Sequence, residues 1–129
     1  MKMLFNKIYL LLKFDDRYLL LPQSDIELVE TTSAFSRYEL EEVMTFNLNK
    51  DLLIQPNSKK SNYIVLFKVE LIALLCEEVE NIKCEEIDVQ ELSSVMKLSK
   101  SPVTHLAIYK DQIACVSNSK ALVKYLLEL

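Results

Sequence analysis

The chain has 129 residues, half of them hydrophobic, with 15 basic and 19 acidic side chains and a net charge of −4. That length suits one ordinary domain with its own apolar core, and the interspersed, mildly acidic charge offers no basic stripe for neutralising phosphates, so nucleic acid is excluded as a partner. Glycine is absent altogether, which rules out the phosphate-cradling and dinucleotide-binding loops that need close backbone approach and leaves Asn and Asp to serve positions with φ > 0.

The opening MKMLFNKIYLLLKFDD has a positive start and an apolar run, but its longest uncharged stretch is residues 8–12 and no small-residue cleavage site follows, so no secretory leader is expected. IYLLLKF and the run at residues 18–21 flank Asp15-Asp16-Arg17 and predict a hairpin; IELV, from Ile26 to Val29, follows as a short third strand. Residues 31–42 form a loop or a short helix, with no period to choose between them. TFNLN, containing Asn47 and Leu48, alternates, residues 52–54 form another short apolar run, and QPNSKKSN at 55–62 is a loop rich in Pro, Asn and Ser.

Residues 63–67 and 71–76 predict a second hairpin, with one buried helix as the rival reading, because a continuous apolar run cannot be assigned by period alone. Residues 79–83 alternate. Ile87, Glu91, Val95 and Leu98 have helical spacing, so part of 86–98 is expected to be helix. HLAIY and IACV flank Lys110-Asp111 as a third hairpin, and Leu122, Tyr125 and Leu126 make one face of a closing helix that Asn118 or Ser119 can cap. Short strands with frequent turns and a terminal helix predict a mainly β chain, a small barrel or sandwich. The longest apolar candidate for a membrane span, residues 63–76, is broken by Lys68 and Glu70 and falls short of the about 20 residues needed, so no membrane insertion is expected. Three cysteines, an odd number, suit a reducing compartment, and the expected location is the cytoplasm.

ALLCEEVENIKCEEID brings two cysteines and six acidic side chains together. Cys76, Cys84 and Cys115 with His105 add up to a Cys₃His set, but no two of them are separated by the two to four residues of a zinc knuckle, so neither metal nor other cofactor is expected. The thiols fit better as small buried hydrophobes, since Cys76 and Cys115 each end an apolar run. A Cys–His nucleophile lacks any local signature, and the neighbouring glutamates disfavour a thiolate. Glu77-Glu78 and Glu85-Glu86 would point to opposite faces of a strand, and read as a solvated edge rather than an acid/base dyad. No catalytic constellation is present.

In order, IVLF, ALLCEEV, Asn81-Ile82 and Glu86-Ile87 resemble the second half of the CheW-like domain of bacterial chemotaxis, with Ala73 in place of the family's Gly and Glu77 in place of its Asp. LAIYKDQIACVSNSKALV matches the family's closing pattern, Asp111 taking the turn aspartate and Asn118 the Asp/Asn before the last helix. KIYLLLKFDDRYLLLPQSDIELV is similar to the first strand pair and its continuation, and Phe46-Asn47-Leu48 resembles the start of the family's N-L-R-G motif. The resemblance covers nearly the whole chain and implies a single CheW-like domain over 1–129, built as two small interlocked five-stranded SH3-like β-barrels with a C-terminal helix. It also implies a non-enzymatic adaptor that couples chemoreceptor cytoplasmic tips to the chemotaxis histidine kinase, with partner contacts at or beside Ile26, Val29, Asn47 and Leu48. The sequence departs from the family where Asn49-Lys50 replaces Arg-Gly and where Leu28 stands in place of a common Glu. A second reading keeps the fold in another sensory pathway or as a self-associating module. A third, from another class, is a small enzyme using one of the cysteines with His105.

Overall fold

A computed structural model describes residues 8–14, 16–33, 43–49, 52, 62–68, 70–92 and 101–128. Strands β1 (Ile8–Phe14) and β2 (Arg17–Pro22) form the first hairpin, with Phe14 opposite Arg17. Asp16, just before β2, takes φ 64°, the left-handed conformation that tight hairpin turns demand and that Asp tolerates without glycine. Residues 9–12 of β1 read as unbroken apolar because both faces of the strand are buried there: Leu10, Leu12 and, beyond Lys13, Phe14 enter one core and Tyr9 and Leu11 another.

The chain then leaves this sheet through a 3-10 turn, Gln23–Asp25, and builds a second one. β3 (Ile26–Thr31), β4 (Met44–Asn47), β5 (Tyr63–Phe67) and β6 (Ile72–Cys76) form a four-stranded sheet in the order β3-β5-β6-β4. β5 and β6 pair antiparallel, which decides for the hairpin over the rival helix; β4 lies parallel to β6. Leu71 and Met44 stay exposed where the two parallel strands begin. The run at 53–54, the loop at 55–61 and residues 34–42 lie outside the described residues.

A single residue, Glu77, carries the chain from β6 back to the first sheet as β7 (Glu78–Lys83), its N–H bonded to the Lys13 carbonyl at 2.8 Å. β8 (Asp88–Glu91), β9 (His105–Tyr109) and β10 (Gln112–Val116) complete a six-stranded sheet in the order β7-β1-β2-β10-β9-β8, with β10 parallel to β2. Six and four strands therefore stand among the described residues where the resemblance implies five and five. Helical spacing predicts helix within 86–98, yet Cys84–Glu86 is one 3-10 turn and Asp88–Glu91 is strand, paired with β9. These residues also carry a period of two: Ile87 and Val89 pack on the sheet's interior while Asp88 and Gln90 face water. A full ladder to β9 and two half-buried side chains outweigh a short helical face. Residues 93–98 lie outside the described part.

β7 and β8 are the opposite edges of the six-stranded sheet, yet residues 84–87 alone join them. Five interstrand spacings would separate the edges of a flat sheet by about 24 Å, whereas the five Cα steps from Lys83 to Asp88 reach at most about 18 Å and less through a 3-10 turn. The sheet is therefore rolled. Its interior is one cluster to which every strand contributes: Tyr9, Leu11, Leu20, Ile82, Val89, Ala107, Tyr109, Ala114 and Val116. Small Ala107 and Ala114 sit opposite each other and leave room for the rings of Tyr9 and Tyr109.

Between the roll and the four-stranded sheet lies the larger core, joining the outer face of β1 and β2 to Val65, Phe67, Ile72, Leu74 and Cys76. Helix α1 (Ser119–Leu127) closes it with Leu122, Val123 and Leu126. The helix begins where Asn118 Oδ1 accepts the Ala121 N–H at 2.8 Å, so Asn118 is the cap. Among the described residues the protein is mainly β, two sheets and one C-terminal helix.

Candidate functional site

The two sheets meet at an open cleft of about 310 Å³. Leu10 of β1 is its floor; Gln23 and residues 26–29 of β3 form one wall, and residues 79–81 of β7 the other. Both walls are edge strands, β3 of the four-stranded sheet and β7 of the six-stranded one. A shift in the β3–β5 register between Ile26 and Leu28 displaces Glu27 from the ladder, a bulge of the kind that re-aims side chains at sheet edges. At one end Gln23 Nε2 donates to Asn81 Oδ1 at 3.1 Å and ties the walls together. Apolar surface comes from Leu10, Leu28, Val29 and Val79, and the charges on the lining are Glu27 and Glu80, both exposed.

The four residues expected at a partner surface are divided. Ile26 and Val29 line the cleft. Asn47 ends β4, the opposite edge of the same sheet, Leu48 follows it, and both are buried. Leu48 is 1% exposed inside the main core, so its side chain cannot anchor a partner in this fold; it packs beneath the surface with Ile26, Leu52 and Phe67. The exposed apolar residue on β3 is Leu28, at 37%, the position where the sequence departs from the family's Glu. Val79 and Glu80 were not expected at a partner surface from sequence, and Leu28 was noted only as a departure from the family's Glu. The signal available was the alternation of EVEN in β7, which marks an edge but says nothing of what lies across from it.

The thiol chemistry weighed from sequence is not assembled. Burial, and then the charge of Glu77, push the Cys76 thiol up to about 12, far from a ready nucleophile. Cys115 is buried and its sulfur accepts from Arg17 Nη1 at 3.1 Å. His105 lies across from Val116 while Cys115 lies across from Leu106, so the imidazole and this thiol occupy opposite faces of the ladder; His105 Nδ1 pairs instead with Thr104 Oγ1 at 3.1 Å. Among the described residues no group of three or more His, Cys, Asp or Glu side chains could hold a metal ion, and no helix is long and apolar enough to cross a membrane.

No protein-family model matches the chain, and no curated protein matches it either. Among solved structures the chain is similar to the scaffolding protein TtCheW from Thermoanaerobacter tengcongensis, with a TM-score of 0.60 at 14% identity, over 87% of this chain and 88% of that one. At that identity the likeness is one of fold, and it is a CheW-like fold that the two share.

Proposed function

We propose that this chain is a non-catalytic, cytoplasmic adaptor of chemotaxis-type signalling that couples a chemoreceptor's cytoplasmic tip to a histidine kinase. The observation that carries the reading is the likeness of fold to a scaffolding protein along almost the whole length of both chains, joined to collinear sequence motifs and the apolar cleft between two sheet edges. An apolar floor with a polar rim is what a small, transient interface uses, an anchor to desolvate and a rim to set register. The working surface is the β3 side of that cleft, with Leu28 and Val29 presented and Ile26, Asn47 and Leu48 holding the sheet beneath.

The test measures binding of the purified chain to the regulatory domain of the histidine kinase and to the chemoreceptor fragment encoded in the same genome. Both should bind, and Leu28→Asp, at an exposed position, should weaken capture at least tenfold, about 1.4 kcal/mol, without lowering the melting temperature. Failure of either partner to bind would sink the adaptor reading. Asn49-Lys50 in place of Arg-Gly favours a second reading, the same module in another sensory pathway, which predicts binding to a different receptor or kinase and to neither of these.

A further inference from the structure

The rolled six-stranded sheet is apolar inside along most of its length, and at one end its inward positions change chemistry. Leu11 and Lys13 follow each other on the inner face of β1, Tyr18 stands opposite Lys13 on β2, and Glu78 and Glu80 stand opposite Lys13 and Leu11 on β7. With Tyr109, the last residue of β9, and Lys110 after it, these side chains line a second hollow. It lies on the other face of β1 from the cleft, since Leu10 lines one and Leu11 the other. The mouth of a barrel is a common seat for a small molecule. Ammonium groups of the chain itself already sit there: Lys13 Nζ lies 3.7 Å from Glu78 Oε2, and Lys110 Nζ stands over the Tyr109 ring, 5.2 Å from its centre. The Tyr109 hydroxyl first, then the charges of Glu80 and Glu86, push the Lys110 pKa up, so carboxylates from β7 and the turn after it face this ammonium.

We infer that this hollow binds a small organic cation whose ammonium carries methyl groups, seated on the Tyr109 ring beside Tyr18 with Glu80 as its counter-charge, in the place the Lys110 ammonium now takes. The inference goes beyond the adaptor reading and does not depend on it. An aromatic face attracts a cation through its quadrupole, and the attraction grows as the cation is desolvated. The ammonium of Lys is compact and strongly hydrated, so the ring holds Lys110 weakly at this exposed position. A methylated ammonium gives up water more readily and brings apolar surface to the rings and to Leu11, so it wins the seat from the tethered one. An anion would have to displace Glu78 and Glu80 from the two lysines they face. A neutral apolar molecule would cover the carboxylates without matching their charge. A bare metal ion lacks ligands, because among the described residues no three His, Cys, Asp or Glu side chains converge.

The experiment titrates the full chain by calorimetry and by amide chemical shift with three probes: choline, its neutral isostere in which a quaternary carbon replaces the nitrogen, and a short peptide carrying trimethyl-lysine. Choline should bind saturably, at least tenfold tighter than the isostere, and should shift the amides of residues 78–80 and 109–110. Lys110→Asn removes the competing ammonium at a turn position that Asn suits, and should tighten choline several-fold. Lys120→Asn, an equal change of charge at an exposed position of α1, should leave it unchanged. Glu80→Gln, at an exposed position, should weaken choline several-fold; Tyr109→Leu should abolish binding, and if that variant melts early, the Glu80 and Lys110 substitutions decide alone. Equal binding of choline and its isostere, no saturable binding of choline, or indifference to Glu80→Gln would each overturn the proposal. So would a Lys110→Asn effect that is absent or matched by Lys120→Asn, or a trimethyl-lysine peptide that binds tighter than choline.

Discussion

Asp25 occupies the turn where the chain leaves one sheet for the other, and it is bonded on both sides of that crossing. Its Oδ2 accepts the Ser119 N–H at 2.9 Å, in the first turn of α1, and its carbonyl accepts the Lys68 N–H at 3.1 Å. Asp25→Ala should cost about 1 kcal/mol in urea denaturation, as losses of helix N-terminal acceptors do, and Asp25→Asn should recover most of it; an Asn variant as weak as Ala would show that the bond contributes nothing. Cys76 makes a different prediction. Its thiol ionises near an ordinary value of 9.0 when unfolded and near 12 when folded, held up mainly by burial. The unfolded chain therefore loses this proton first, so the stabilisation is full below about pH 9 and is lost as the pH rises towards about 12. Tyr9 and Tyr125, whose phenols burial also pushes up, add to the alkaline loss. Cys76→Ala should flatten the fall in stability across that window; a slope identical to the parent's would refute the assignment.

At the scale of elements, the β9–β10 hairpin turns through Lys110-Asp111, with φ of 47° and 64°. Two positive φ values define the turn type that Asn-Gly fills best. Lys in the left-handed region carries a cost of order 1 kcal/mol, against which the Lys110 ammonium, 5.2 Å from the Tyr109 ring, returns little at so exposed a site. Lys110→Asn with Asp111→Gly should raise stability by about 1 kcal/mol in a thermal melt, and a lower melting temperature would contradict it. Helix α1 supplies the companion case. Tyr125 donates its hydroxyl to the Leu52 carbonyl at 2.7 Å, and Leu52 itself has φ 63°, costly for a bulky residue. The latch helps hold that conformation, so Tyr125→Phe should destabilise by about 1 kcal/mol without changing the circular dichroism spectrum.

For the whole molecule the shared core decides the behaviour. The four-stranded sheet is inserted between β2 and β7, and the chain crosses between the sheets over three residues on the way out and one on the way back. Leu12, fully buried in β1, packs in a cluster drawn from both sheets and the helix. The sheets should therefore unfold together as the single domain expected from the sequence, in one calorimetric transition whose enthalpy matches the van't Hoff value. Leu12→Ala should lower stability by about 2–5 kcal/mol for both sheets at once. Two resolved transitions, or a loss confined to one sheet, would contradict the interlocked arrangement.

Local chemistry was enough to read the three hairpins, the capped terminal helix and the burial of Cys76 and Cys115, because each depends on a short apolar run and the polar residues that end it. Where the runs go was not readable. β8 carries both a period of 3.6 and a period of 2, and only a free edge on β9 selects the strand. Leu28 follows Glu27 in β3 and Leu48 follows Asn47 at the end of β4, each a leucine directly after a polar residue, yet one is 37% and the other 1% exposed. Sequence spacing gives the alternation of faces, but which face meets a core, and which edge is left without a neighbour, follows from pairings between residues distant along the chain. The cleft exists only because β3 and β7, fifty residues apart, end their sheets on the same side of the molecule, and no local pattern in either strand encodes that meeting.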